Sequence, residues 1–210
     1  MQFLPVFPLQ IVVFPGEQLN LHIFEPRYRE LIADINASDK KFGMPVVLNN
    51  DISGYGTEIQ LLSIEKTYST GELDIACLGI KPFKVVNFYK NLPDHLYSAA
   101  DVNYPDFDLD ADKRKIEQLE ILYSELQEVL KAEKFIEDFY GDGLSFKIGH
   151  YVALSLSQKV KLLGIEKEND RMDFIIDHVE SIMPILKNAE ETKEKIKSNG
   201  HFRNFEAFNF

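Results

Sequence analysis

The 210-residue sequence contains a single cysteine, Cys77, and no tryptophan. One cysteine excludes an intramolecular disulfide and a metal cluster built on several cysteines. The sequence also lacks any run of about 18 consecutive apolar residues, which a membrane-spanning helix would need. Residues 1–5 have no basic flank of the kind found in signal peptides, and they reach a proline at once. We therefore expect a cytoplasmic protein with no membrane partner.

Several motifs of catalytic and metal chemistry are missing as well. The sequence has no G-x-x-x-x-G-K-S/T loop for phosphates, no G-x-S-x-G turn for a serine nucleophile and no H-E-x-x-H pair for zinc. Its five histidines lie far apart in the sequence. We therefore expect no catalytic residues, no metal site and no cofactor.

Basic residues are outnumbered, because 23 Lys and Arg face 34 Asp and Glu for a net charge of −11. Nucleic-acid binding depends on clustered cations that neutralise phosphates, so this balance argues against a nucleic-acid partner. A local basic patch would still permit RNA binding. An RNA-binding module therefore stays open as an alternative.

The sequence changes character near residue 105. Residues 1–105 are rich in proline, glycine, β-branched and aromatic residues, whereas residues 111–198 are rich in Glu, Lys, Leu and Ile. The first composition is typical of short strands and turns, and the second of helices. We predict an α+β chain with a β-subdomain over residues 1–105 and a helical subdomain over residues 106–210.

The β-subdomain shows clear local patterns. Residues 18–24 alternate apolar and polar side chains, which predicts a half-buried strand. A helix should begin at Pro26, because apolar residues then recur at helical spacing from Tyr28 to Ile35. Residues 69–71 have the composition of a hairpin turn. In total we predict about six strands and one helix, which favours a small barrel or sandwich.

The helical subdomain should hold four helices. The first begins near Asp110 or Asp112 and ends before Gly141. The second covers residues 146–156, and Ser157 caps a short third helix that runs to Leu163. A long fourth helix begins near Asn169 or Asp170, with a kink or break at Pro184.

Three segments near the N-terminus, Leu4–Leu9, Val13–Gly16 and Leu21–Tyr28, resemble the N-terminal substrate-binding domain of the Lon protease family. The resemblance extends to residues 157–163 and 169–171, and so to most of residues 3–187. It implies a PUA-like small β-barrel followed by a helical bundle. The 210 residues leave no room for the ATPase and peptidase domains of that family, so we expect a stand-alone form that is not an enzyme.

The resemblance implies a polypeptide-recognition module that binds unfolded segments or a specific protein partner through an apolar groove. Prolines near the early phenylalanines restrict strand pairing, which could leave such a groove or an open sheet edge. Two alternatives remain. One is an RNA-binding PUA-like module, and the other is an unrecognised small-molecule enzyme with its site between the two subdomains.

Candidate residues for peptide or partner binding surround the proline-rich segments and the start of the first helix: Phe7, Phe14, His22, Phe24, Glu25, Arg27 and Tyr28. His22 and Glu25 are three positions apart, which would suit a ligand or acid–base pair. We favour a simpler interpretation, in which the Glu25 side chain satisfies free N–H groups at the helix start. Cys77 alternates with Leu73 and Ile75, which indicates a small buried residue instead of a reactive thiol.

The last ten residues carry four phenylalanines: Phe202, Phe205, Phe208 and Phe210. They follow a charged and polar run over residues 190–197 that should be a solvated helix end. A solvated tail does not need so many aromatic side chains. We therefore expect the tail to dock into an apolar groove of its own chain or of a second copy, and the latter would give a homodimer.

Overall fold

The computed structural model describes residues 1–131 and 143–201, with side chains up to residue 197. These residues form six strands and five helices, in an α+β arrangement that confirms the predicted fold class. The elements are β1 (Gln2–Val6), β2 (Gln18–Ile23), α1 (Pro26–Asn36), β3 (Lys41–Leu48), β4 (Asp51–Thr67), β5 (Leu73–Tyr89), β6 (Ser98–Asn103), α2 (Lys113–Leu130), α3 (Leu144–Ile148), α4 (Leu156–Leu163) and α5 (Glu168–His201).

The six strands form one sheet in the order β2-β5-β4-β3-β1-β6, and β6 also pairs with β5. This last pairing closes five strands into a small barrel. The first half of β5 pairs with β2 and its second half with β6, so one 17-residue strand serves two neighbours. Register shifts between β4 and β5 accompany the long paired strands, and such bulges bend a sheet toward closure.

Helix α1 packs against the core of the barrel. Pro26 occupies its first turn, and the apolar face from Tyr28 to Ile35 is buried, as predicted. This face packs with barrel residues that include Phe42 and Cys77. Cys77 is buried, as predicted, and this burial raises the pKa of its thiol to about 12, which argues against a thiolate nucleophile.

Helices α2 and α5 lie side by side and run in the same direction. Lys115 of α2 binds Asp173 of α5 at 2.5 Å, and Lys131, just after α2, binds Glu190 at 2.7 Å. The Asp112 side chain caps α2 by accepting a hydrogen bond from the Arg114 N–H, at one of the two predicted positions. The buried faces of both helices share one apolar cluster with α3 and α4.

The prediction of a helix over residues 146–156 is wrong. Helix α3 ends at Ile148, and the chain reaches α4 through a segment in which Ala153 has a left-handed φ of 58°. Val152 and Leu154 lie in this irregular segment and are buried there, so their apolar character does not indicate a helix. Ser155, and not Ser157, caps α4 through a capping box with Gln158.

Helix α5 begins one residue before the predicted caps and passes through Pro184 without a break. Pro184 is exposed, whereas Val179 and Met183 are buried on the other face of the helix. The packed face therefore keeps the helix continuous where proline removes a hydrogen bond on the solvent side. In the described part of the chain, no helix combines the length and apolar character needed to cross a bilayer.

The loop between β1 and β2 packs against the helices. Phe14 is only 1% exposed and belongs to the helical core cluster together with Val12 and Val46 of the barrel side. Gly149 lets the Phe14 ring approach, because a Cβ there would lie 2.7 Å from it. The division at residue 105 stays a prediction, and the structure shows that the two parts share side-chain packing.

Candidate functional site

The start of α1 brings three of the predicted residues together. Glu25 is the N-cap, and its backbone carbonyl accepts hydrogen bonds from the N–H groups of Tyr28 and Arg29. Its side chain makes no capping hydrogen bond, so the predicted role of that carboxylate is wrong. The carboxylate instead binds the Arg27 guanidinium at 2.7 and 2.9 Å, which orients Arg27 beside the helix end.

Tyr28 forms the centre of an aromatic stack. Its ring lies 3.7 Å from the Phe7 ring on one side, and the Arg27 guanidinium lies 4.4 Å from its centroid. Burial raises the pKa of Tyr28; Arg27 lowers it and Glu25 raises it by smaller amounts. Among the described residues, none forms a hydrogen bond with the Tyr28 hydroxyl. Because its pKa is raised, this hydroxyl is neutral near pH 7, and it can form a hydrogen bond with a bound molecule.

A cleft of about 560 Å³ opens beside this stack, and we name it the α1 cleft. One side comes from the β3–β4 hairpin, in which Asn49 and Asn50 both have positive φ, as a tight two-residue hairpin turn requires. The other side comes from the end of β5 and the start of β6. Five apolar and five polar residues line the α1 cleft: Pro8, Tyr28, Val47, Ile52 and Phe88, with Arg27, Asn50, Asp51, Lys90 and Ser98.

His22 and Phe24 lie on a second surface, along β2. His22 Nδ1 lies 2.6 Å from Asp74 Oδ1, and this hydrogen bond is the main cause of the lowered pKa of Asp74. The Phe24 ring is 60% exposed and lies 6.2 Å from the His22 ring. His22 pairs with Asp74 and Glu72, so the structure does not form the His22–Glu25 pair considered from the sequence.

Phe7 and Phe14 are buried. Phe7 stacks against Tyr28, which lines the α1 cleft, and Phe14 packs against Phe146 and His150. Neither ring is available to a partner in this conformation. The role of all seven residues in binding stays a prediction, and the four tail phenylalanines lie outside the described residues.

A family model described as the ATP-dependent protease La (LON) substrate-binding domain matches residues 3–190. This chain belongs to that family. The match confirms the resemblance carried by the segments between Leu4 and Tyr28.

Two solved structures share the Lon-domain fold with this chain. A Lon N-terminal domain protein from Xanthomonas campestris is 23% identical, with a TM-score of 0.65 over 84% of this chain and 98% of the other. The N-terminal domain of a Mycobacterium avium complex Lon protease is 15% identical, with a TM-score of 0.61 over 85% of this chain and 98% of the other. At these identities the likeness concerns the fold alone.

Several lining residues of the α1 cleft in this Lon-family domain were missed from the sequence. Asn50, Phe88, Lys90 and Ser98 come from three separate segments that only the barrel brings together. The Asn49-Asn50 pair after an apolar run was a usable turn signal. Nothing local marked Lys90 or Ser98, whose hydroxyl donates to the Lys90 carbonyl at 3.0 Å.

The interface between the barrel and the helices of this Lon-family domain holds three connected charged and polar groups. His150 Nε2 lies 2.8 Å from Glu17 Oε2, and the Lys159 ammonium donates to His150 Nδ1 at 2.8 Å. Glu17 also accepts the Phe14 N–H at 2.8 Å. Each group is bound to another protein group, which is typical of a structural link between two parts of a chain.

Proposed function

We propose that this domain binds extended, unfolded polypeptide segments in the α1 cleft and catalyses no reaction. The observation that carries the proposal is the lining of the cleft, which places apolar walls next to convergent polar groups. Its volume of about 560 Å³ is within the range of ligand-binding clefts. The substrate-binding description of the matched family supports the same function.

The lining suits an extended backbone with apolar side chains. Tyr28, Ile52 and Phe88 offer surfaces against which aliphatic or aromatic side chains of a client would lose water. Arg27 and Lys90 can donate hydrogen bonds to client carbonyls, and Asn50 and Asp51 can accept them from client N–H groups. An unfolded segment offers all of these groups at once, whereas a folded surface has paired most of its backbone.

The other predicted residues extend this proposal beyond the α1 cleft. Phe24 and His22 would make contacts along β2 with a longer client or with a folded protein partner. Binding of a second copy through the aromatic tail stays a separate prediction. The RNA-binding and enzymatic alternatives also stay predictions.

The experiment is a fluorescence-anisotropy titration of a reduced, carboxymethylated and permanently unfolded protein, at low and at high salt. Ile52→Ser should weaken binding by roughly tenfold, because it removes apolar contact worth about 1–2 kcal/mol. Ile64→Ser is the matched control: Ile64 lies on the same strand, is 37% exposed and does not line the α1 cleft. We expect it to bind like the unchanged protein.

Three results would contradict the proposal. Absence of saturable binding at tens of micromolar would refute recognition of unfolded segments in general. Equal losses in both isoleucine variants would place the binding surface outside the α1 cleft. Binding of RNA that weakens steeply with salt, without polypeptide binding, would favour the RNA-binding alternative.

A further inference from the structure

Three potential metal ligands converge on the outer face of α1. Glu30 and Asp34 are four positions apart, so their carboxylates lie on the same side of the helix. His95 reaches them from residues 90–97, the connection between β5 and β6. His95 Nδ1 lies 3.1 Å from Glu30 Oε1 and 3.5 Å from Asp34 Oδ2, and the ligand atoms of all three residues lie within 4.8 Å of one another.

We propose that Glu30, Asp34 and His95 bind a first-row divalent cation of the zinc class. Zinc–ligand bonds of about 2.0–2.2 Å place neighbouring ligands of a tetrahedral ion about 3.3–3.6 Å apart. The two distances from His95 Nδ1 are close to this range. Three protein ligands leave one coordination position for water or another group.

The charge around the three ligands favours a dication. Two carboxylates face one imidazole, and in the described part of the chain neither carboxylate forms an ion pair with a lysine or an arginine. A bound dication would balance the two negative charges. One nitrogen and two oxygen ligands suit zinc and its neighbours better than magnesium, which prefers a complete shell of oxygens.

Neighbouring groups hold the ligands in place. The Tyr97 hydroxyl donates to Asp34 Oδ2 at 2.8 Å, and the Leu96 N–H lies 3.3 Å from both oxygens of Glu30. The Tyr97 ring also packs 4.8 Å from the His95 ring. Such outer contacts orient metal ligands and raise metal affinity.

The chain contains a matched histidine that should not bind the ion in this way. His22 also lies between two carboxylates, and it is exposed to a similar degree. Its Nδ1 contacts Asp74, whereas its Nε2 faces Glu72 at 3.7 Å. Because the two carboxylates lie at opposite edges of that ring, one ion cannot contact all three groups.

The first experiment is a calorimetric titration of chelator-treated protein with Zn²⁺ at pH 7, with Mg²⁺ as the comparison ion. We expect one zinc per chain at this site, lost in His95→Ala and retained in His22→Ala. Glu30→Gln should also lose it while keeping the shape of the side chain, and Tyr97→Phe should weaken it by about tenfold. Circular dichroism establishes that each variant is folded.

The competing arrangement is a protonated His95 that is ion-paired with both carboxylates and binds no metal. Absence of zinc binding in the unchanged protein, or equal loss in His95→Ala and His22→Ala, would overturn the proposed site. Binding of Mg²⁺ with the same affinity would overturn its assignment to the zinc class.

Metal binding at this site would also stiffen one wall of the α1 cleft, a consequence that rests on the proposed function. His95 lies in the connection that starts at Lys90 and leads into Ser98, and both of these residues line the cleft. We expect zinc to tighten binding of the unfolded protein several-fold, and His95→Ala to remove this effect. Zinc binding without any change in polypeptide affinity would refute this coupling. The calorimetric evidence for the metal site itself would remain valid.

Discussion

Replacing Arg171 by methionine should destabilise the folded chain by about 3–5 kcal/mol, because it breaks a buried ion pair. Arg171 and Glu168 are both 0% exposed at the start of α5. Arg171 Nη2 lies 2.6 Å from Glu168 Oε2, and its Nε donates to the Ser145 hydroxyl at 2.9 Å. The guanidinium also donates to three backbone carbonyls, those of Asp108, Ile165 and Glu166.

The size of the effect follows from what methionine leaves behind. Glu168 would keep the hydrogen bonds from the Ser145 N–H and hydroxyl, but its charge would lose the cation that balances it. An uncompensated buried charge is the dominant cost when one member of such a pair is removed. At roughly 2–4 °C per kcal/mol for a chain of this size, the midpoint of thermal unfolding should fall by about 6–20 °C.

Urea unfolding followed by far-ultraviolet circular dichroism measures the change, and two further variants test its cause. Glu168→Gln combined with Arg171→Met removes both charges and should be more stable than Arg171→Met alone. Lys115→Met removes a more exposed partner of Asp173 and should cost less than about 1 kcal/mol. A loss below about 1 kcal/mol in Arg171→Met, or a double variant less stable than the single one, would refute the argument from buried charge.

Three further predictions concern packing. Cys77 should react with a thiol reagent only after unfolding, because it is buried and its pKa is raised to about 12; rapid labelling of native protein would contradict this. Gly56→Ala should lower the thermal midpoint by several degrees, since its Cβ would lie 2.6 Å from the Met44 carbonyl oxygen, whereas Gly54→Ala meets nothing within 4 Å and should be tolerated. Phe14→Ala should cost about 3–5 kcal/mol in urea unfolding.

Local patterns were the part of this fold that the sequence could predict. The strand that alternation predicted over residues 18–24 corresponds to β2, and the helix that the apolar spacing predicted after Pro26 corresponds to α1. Each of these elements buries one face, so its periodicity records directly which side chains face the core. The same logic predicted the Cys77 position on β5, where alternate residues are buried.

Features that depend on distant pairing could not be predicted in this way. Closure of the barrel requires the second half of β5 to pair with β6, and no local pattern encodes that pairing. The apolar residues Val152 and Leu154 favoured a helix in the sequence, but tertiary packing buries them from an irregular segment. The cluster of Glu30, Asp34 and His95 could not be predicted either, because its members come from a helix and from a connection that is far away in the sequence.

The segments that carry the Lon resemblance also explain why recognition of the family says little about the client. Residues between Leu4 and Tyr28 contribute to all three apolar clusters: Leu4 and Val6 to one, Phe7, Val13, Ile23 and Tyr28 to the second, and Val12 and Phe14 to the third. Their types are therefore constrained by packing over the whole molecule. The α1 cleft takes most of its polar lining from residues outside this run, such as Asn50 and Lys90. Because most of the polar lining lies outside the run that carries the fold, family members can keep one fold while this part of the lining changes, and under the proposed function the choice of client must therefore be measured for each chain.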